Sequence, residues 1–179
     1  MKSWDQLKDE VCEILIRMGA IKFGTFTLSS GALSPYYIDL RLVPSDPAAM
    51  RRICHAYTKF IEGEVGLDSF DRICAIPTAG MAFAAVVAYE LGKPFLYVRR
   101  EAKSYGRERR VEGLLNPGDK VLIIDDLITT GNSIAAGVDA MRAEGGVVED
   151  VVVLIDREEG GADKLRKMGV RLRALMGIT

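Results

Sequence analysis

Asp125 and Asp126 stand side by side behind the apolar run Val121, Leu122, Ile123 and Ile124, and the chain then passes through Leu127 and Ile128 into Thr129, Thr130, Gly131, Asn132 and Ser133. Successive side chains on an extended strand point to opposite faces, so two adjacent carboxylates approach a ligand from different sides. The loop leads into a helical pattern. Backbone N–H groups, hydroxyls and the positive end of a helix dipole at such a junction favour an anion, a phosphate above all. Gly131 lets the backbone turn tightly around it. The chemistry implied is a grip on a phosphorylated ligand whose neighbouring groups suit carboxylates, either sugar hydroxyls or a magnesium ion. A simpler alternative has Asp126 starting a turn and Asn132 or Ser133 capping a helix. Two acids, three hydroxyls and a glycine at one strand end favour the functional reading. No Walker A loop occurs, and no GxGxxG follows a strand, which argues against a kinase-type or dinucleotide site.

Two more groups of residues carry charge suited to chemistry. Residues 99 to 112 hold Arg99, Arg100, Lys103, Arg107, Arg109 and Arg110 against Glu101, Glu108 and Glu112. A polar loop of this length inside a compact domain is unusual and often functional. Its cations would suit a departing polyanion; the competing readings are a solvated loop with its own ion pairs or a nucleic-acid contact. Arg157 follows the apolar run Val151 to Ile155 and Asp156, where a guanidinium can grip a planar carboxylate in bidentate fashion or pair with Asp156 or Glu158. Tyr36 and Tyr37 suit either a heterocycle or ordinary strand packing.

The elements that must position these residues alternate. Trp4, Leu7, Val11, Ile14, Leu15 and Met18 share a helical face that ends at Gly19, with Ser3 and Gln6 as a capping box. Residues 22 to 41 resemble two short strands around a turn, and Asp46 with Pro47 opens a helix that runs to about Gly63. From "RICAI" onward, strands "PFLYVR", "KVLIID", "VVEDVVVLID" and "RLRALM" are separated by helices from about Gly80 to Leu91, Ser133 to Glu144 and over "GADKLRKMG". Short, nearly continuous apolar strands between helices predict an α/β fold, a mostly parallel sheet flanked by helices. Ligands of such sheets bind at the carboxyl ends of the strands. The whole of 1–179 is expected to form one domain, with residues 1–42 supplying much of a small N-terminal hood.

At 179 residues, 49% hydrophobic and 27% charged, the chain has the composition of a folded domain rather than a disordered one. A net charge of -1 gives no global attraction to nucleic acid or an anionic membrane. Cys12, Cys54 and Cys74 form no CxxC pair and sit among apolar neighbours, which predicts core thiols rather than disulfides or a zinc site. The lone His55 reads as a helix-surface residue. The charged N-terminus is unlike a signal peptide, and no apolar run approaches the ~20 residues of a membrane span. A cytoplasmic location is expected.

The stretch 121 to 133 resembles the signature of the type I phosphoribosyltransferases, which bind phosphoribosyl pyrophosphate (PRPP). "KFGTFTLSSGALSPYYIDLR", "RREAKSYGRERRVEG" and "LIDREEGG" are similar, in order and spacing, to segments of the orotate phosphoribosyltransferases, so the resemblance spans nearly the whole chain. It implies a Rossmann-like fold and Mg-dependent transfer of a phosphoribosyl group from PRPP to orotate, giving orotidine 5'-monophosphate for UMP synthesis. It implies PRPP contacts from Asp125 through Ser133, including Leu127 and Ile128, and from Arg99, Arg100, Lys103 and Tyr105. Lys103, Asp125 and Asp126 would be the catalytic positions, and Thr129, Arg157 and Tyr37 would contact orotate. Magnesium would come mainly with PRPP, and a homodimer would form in which the loop 100–112 reaches the neighbouring site. The chain departs from the family pattern at Ser29, Ala32, Leu33 and Ala79, where many relatives carry basic residues, and at Tyr105, where many carry histidine. A transferase for another base, or a PRPP-sensing regulator with a nucleic-acid face, are the other readings.

Overall fold

The computed structural model describes residues 4–27, 33–99 and 109–178, which divide into two compact units, Met1–Ala56 and Tyr57–Thr179. The division falls inside a helix.

In the first unit, α1 (Trp4–Arg17) buries Val11, Ile14 and Leu15. It ends where the sequence indicates: Gly19 turns into the left-handed region at φ 67, and the N–H of Ala20 closes on the Leu15 carbonyl at 2.9 Å. β1 (Ile21–Thr27) and β2 (Leu33–Ile38) pair antiparallel from Ile21 opposite Ile38 to Thr27 opposite Leu33. A 3-10 turn over Leu40–Ser45 follows, opened by Asp39, whose carboxylate accepts from the N–H of Arg41. α2 (Pro47–Phe60) begins as expected, with the Asp46 carboxylate accepting from the N–H groups of Ala48 and Ala49 at 2.9 and 3.2 Å. Instead of ending near Gly63, the helix widens into a π turn over Ile61–Val65 and stops at Gly66, φ 86.

The second unit carries β3 (Arg72–Ala75), α3 (Gly80–Glu90), β4 (Phe95–Val98), β5 (Val111–Glu112), β6 (Val121–Ile128), α4 (Asn132–Ala143), β7 (Asp150–Asp156), α5 (Gly161–Lys167) and β8 (Arg171–Gly177). Among the described residues its sheet has six strands in the order β5-β4-β3-β6-β7-β8, and every pairing is parallel except that of β5 with β4. The predicted α/β sheet is therefore present. β5 is an edge strand that two residues are too few to signal in sequence. Two boundaries differ: β7 begins at Asp150 rather than Val147, and β6 does not stop at the acids but continues to Ile128, because β7 still offers partners, with Asp125 opposite Val153, Leu127 opposite Ile155 and Ile128 opposite Asp156.

Each β6 residue from Val121 to Ile124 is at most 2% exposed, which makes this strand the spine of the core. α4 and α5 cover it with Ile134, Val138, Met141 and Leu165, and α3 buries Phe83, Ala84, Val87 and Ala88. Cys54 and Cys74 are core thiols as expected, with burial pushing the Cys74 thiol up to about 12; Cys12 is only half-buried. His55 is exposed. No helix among the described residues is long and apolar enough to cross a membrane.

At the opposite end of the sheet from the acids, Asp150 opens β7 from a buried position. Burial alone pushes its carboxyl upward, but hydrogen bonds from Arg171 and Arg173, at 2.7 to 3.0 Å, carry it below the usual carboxylate range. A lowered carboxyl stabilises the fold above its unfolded value and loses that contribution as pH falls through the folded one. Asp150→Ala is therefore expected to cost about 1–3 kcal/mol at pH 7. Denaturant titrations should show that cost shrinking below roughly pH 4; a cost independent of pH would mean the ion pairs contribute nothing.

Candidate active site

The parallel strands of the second unit end at one pole, and Asp125, Asp126, the segment Thr129 to Ser133 and Arg157 follow from strand ends there. Asp125 is 7% exposed, and its Oδ1 accepts from the backbone N–H of Asp126 at 2.9 Å. Burial, and then repulsion from the Asp126 carboxylate, push the Asp125 carboxyl well above its ordinary range. Two features that the sequence does not advertise hold it there. Tyr57, fully buried in α2, donates its hydroxyl to the Asp125 carbonyl at 2.7 Å and packs against Phe83, ring centroids 6.0 Å apart. Gly80, the first residue of α3, lies so close that a Cβ on it would stand 2.9 Å from the Asp125 Cα and closer still to the carboxylate. A small residue is required there to let the helix start abut the acid. Glycine behind a strand end, in "IPTAGM", was the signal available for that approach.

The loop after β6 turns through Gly131, φ 75, into α4, whose first closed backbone bond runs from Ala135 N–H to Gly131 O at 2.9 Å. The helix starts at Asn132, so its first-turn N–H groups at Asn132, Ser133 and Ile134 have no acceptor within the helix, an arrangement that suits an anion. Gly131 rather than Asn132 or Ser133 occupies the cap, and no side chain caps the helix. The capping alternative for Asn132 and Ser133 therefore fails.

Arg157 comes to the same pole because β7 is the neighbour of β6. Its N–H donates to Ile128 O at 3.0 Å, and the N–H of Gly161 donates to Thr129 O at 2.9 Å, so the segment after β7 is stitched to the loop after β6. Glycines allow the approach: a Cβ on Gly161 would lie 2.6 Å from Thr129 O, and one on Gly131 would lie 3.1 Å from the Gly161 Cα. The Arg157 side chain is 9% exposed and pairs with Glu159 at 2.9 Å. Beside it, Asp156 Oδ1 accepts from the N–H of Glu158 in the turn at 2.8 Å.

Arg99 follows β4, two strands from the acids. Its N–H donates to Arg110 O at 2.7 Å, and the Arg110 guanidinium returns to Arg99 O at 3.1 and 3.3 Å, which closes the base of the charged loop. Glu144, at the end of α4, accepts from the N–H groups of Arg110 and Val111 at 2.9 and 3.0 Å and fastens that base to the helix. Arg99 Nη1 is buried without a hydrogen-bond partner, 3.5 Å from Glu112 Oε1. Arg99, Arg110, Pro77 and Ser133 line a cavity of about 450 Å³. The ion pairs expected of a merely solvated loop are partly present at its base, with Arg109 3.8 Å from Glu144.

Arg100, Lys103 and Tyr105 lie outside the described residues, as do Ser29 and Ala32. Tyr37 is in the first unit, tilted against Phe26 at 5.7 Å, with its hydroxyl accepting from Arg41 at 3.5 Å. Leu33 is 73% exposed there.

A phosphoribosyl transferase domain model matches residues 47–171, most of the chain. The chain is 45% identical over 159 residues to the orotate phosphoribosyltransferase of Cenarchaeum symbiosum, covering 89% of this chain and 80% of that one. It belongs to the orotate phosphoribosyltransferase family. The solved orotate phosphoribosyltransferase of Aeropyrum pernix superposes with a TM-score of 0.83 at 35% identity, covering 93% of both chains. That of Mycobacterium tuberculosis in complex with PRPP superposes with a TM-score of 0.73 at 26% identity over 96% of both. The type I phosphoribosyltransferase fold is thereby established for this chain.

In this phosphoribosyltransferase fold the buried acid has a measurable cost. An unfolded Asp125 ionises near its ordinary ~3.9, whereas the folded one resists ionisation. The penalty is absent below the unfolded value, grows as pH rises above it, and levels off once pH passes the folded value. Asp125→Asn is expected to raise Tm by a few degrees at neutral pH. Thermal melts of parent and variant from roughly pH 4 to pH 8 should diverge with rising pH; parallel curves would show that the carboxyl is not desolvated.

Proposed function

We propose that this protein is an orotate phosphoribosyltransferase acting in pyrimidine nucleotide synthesis. The observation that carries the reading is the join between two strand ends: the acids and the small-residue loop after β6, hydrogen-bonded to the segment bearing Arg157. Asp125 and Asp126 hold the ribose hydroxyls, and the backbone and hydroxyls of Thr129 to Ser133 hold the 5'-phosphate. Arg157, with Thr129, meets the orotate carboxylate, and Tyr37 packs against the pyrimidine.

In the reaction, the bond from C1 of the ribose to the pyrophosphate oxygen breaks as N1 of orotate bonds to C1; pyrophosphate leaves with the electron pair, and the proton carried by N1 is released to solvent. With the C1–oxygen bond largely broken before N1 arrives, the protein supplies position and charge rather than a strong base. Arg99, Arg100, Lys103 and Tyr105 stabilise the charge that develops on pyrophosphate. The closed base formed by Arg99, Arg110 and Glu144 supports such a role by fixing both ends of the cationic segment. The segment serves the neighbouring site of a homodimer. Magnesium would come mainly with PRPP and would supply charge neutralisation there, and Asp125 and Asp126 are the carboxylates of this chain that would lie beside it. The enzyme works in the cytoplasm.

Purified protein mixed with PRPP and magnesium should consume orotate, followed by ultraviolet absorbance, and leave uracil, hypoxanthine and adenine untouched. Turnover of another base in place of orotate would reassign the substrate; PRPP binding with no turnover of any base would favour a regulator. Lys103→Ala is expected to lower kcat roughly a hundredfold or more with little change in orotate affinity. Arg157→Ala is expected to raise KM for orotate roughly tenfold to a hundredfold and to leave PRPP affinity in place. A loss of PRPP affinity instead would put Arg157 at the other end of the site.

A further inference from the structure

α5 carries a lysine whose partner is unusual. Lys164, half-buried one turn after Gly161, donates from Nζ to the side-chain Oδ1 of Asn132, the first residue of α4. Among the described residues no carboxylate lies within ion-pair distance of Lys164, and the adjacent Asp163 is taken by Arg166 at 3.0 Å. Other lysines are differently placed: Lys59 and Lys120 face Glu62 and Glu149, and Lys93 caps the carbonyls of Leu67 and Phe70. Fixing a lysine side chain costs about 1.5–2 kcal/mol of rotamer freedom, and here it is fixed to a neutral amide with its charge uncompensated.

The site of that charge is the mouth of the α4 N-terminus. α5 is held in register with the loop by the bond from Gly161 N–H to Thr129 O and by the glycine contact between Gly131 and Gly161. An ammonium only donates, so the atom it meets on Asn132 must be the amide oxygen. With Oδ1 occupied, the amide presents its NH₂ donors on the other side. Released from Lys164, the same side chain can rotate and bring an acceptor oxygen towards an anion, which repels it.

We infer that Lys164 is a positioning residue for a phosphomonoester dianion at the α4 N-terminus, acting through Asn132, whose amide it orients so that donors rather than the acceptor face the ligand. The inference rests on the reading of Thr129 to Ser133 as the 5'-phosphate loop. It extends that site to a third element, since the loop then depends on α5 for charge and amide orientation as well as on α4.

Calorimetric titration with ribose 5-phosphate, and separately with orotate, tests it on the full chain and its Lys164→Met, Lys164→Arg and Asn132→Ala variants. Lys164→Met should weaken ribose 5-phosphate about tenfold and leave orotate affinity within twofold. KM for PRPP should rise by the same factor, with a much smaller change in kcat. Lys164→Arg should recover most of the affinity. In the double variant, losing Asn132 and Lys164 together should cost little more than losing either, as expected when one acts through the other. Unchanged ribose 5-phosphate affinity in Lys164→Met, or additive losses in the double variant, would overturn the role of Lys164 and leave the phosphate loop standing. Failure of the parent protein to bind ribose 5-phosphate would overturn the loop reading itself.

Discussion

The fold turns on placing a carboxylate where water is scarce. Asp125 sits at the end of the most buried strand of the sheet, with the start of α3 pressed against it at Gly80 and the Tyr57 hydroxyl locking its carbonyl. A neighbouring carboxylate on Asp126 adds repulsion to the desolvation. Such an arrangement is costly for the protein, because burial disfavours the charged form of the acid. The rest of the pole is organised around that acid pair, because the strand that carries it also fixes where the following loop emerges.

That loop is shaped by its neighbours as much as by its own sequence. Ile128 and Thr129 give their carbonyls to the segment after β7, and two glycines allow α5 to touch the loop backbone. Arg157 and Lys164 are both carried on this docked segment, the first paired with Glu159 and the second bonded to Asn132. On the other side, Glu144 and the mutual hydrogen bonds of Arg99 and Arg110 anchor the cationic segment. Positive charge thus arrives from several elements, while the sheet supplies the acids. A protein whose net charge is only -1 can in this way concentrate cationic groups locally without becoming basic overall.

Much of the second unit could be read in advance. The strands are short apolar runs, and the helices after them show regular spacing and glycine boundaries, so periodicity was informative. The end of β6 was misplaced because two charged residues look like a strand terminus, whereas β7 continues to pair beyond them. β5 escaped notice because two residues carry no period. The extension of α2 as a π turn was likewise invisible, since Gly63 looked like a stop and the chain closes at Gly66 instead. In the site, Tyr57 and Lys164 were unremarkable members of helical patterns, and nothing in their local sequence marks a contact 68 or 32 residues away.

What the sequence determined by itself is the chemistry at the strand end: two acids, a small-residue loop, a cationic stretch and an arginine in the right order for a phosphorylated ligand. Residue type and local spacing fix which groups can donate, accept or carry charge, and these are properties of short segments. Only the tertiary structure decided that Arg157 pairs with Glu159, that α4 begins on an uncapped left-handed glycine, and that Asn132 is held by a lysine from α5. Those outcomes depend on which strand lies beside which and how closely two backbones approach, and the pairing of β6 with β7 is set by packing the whole sheet rather than by any one segment.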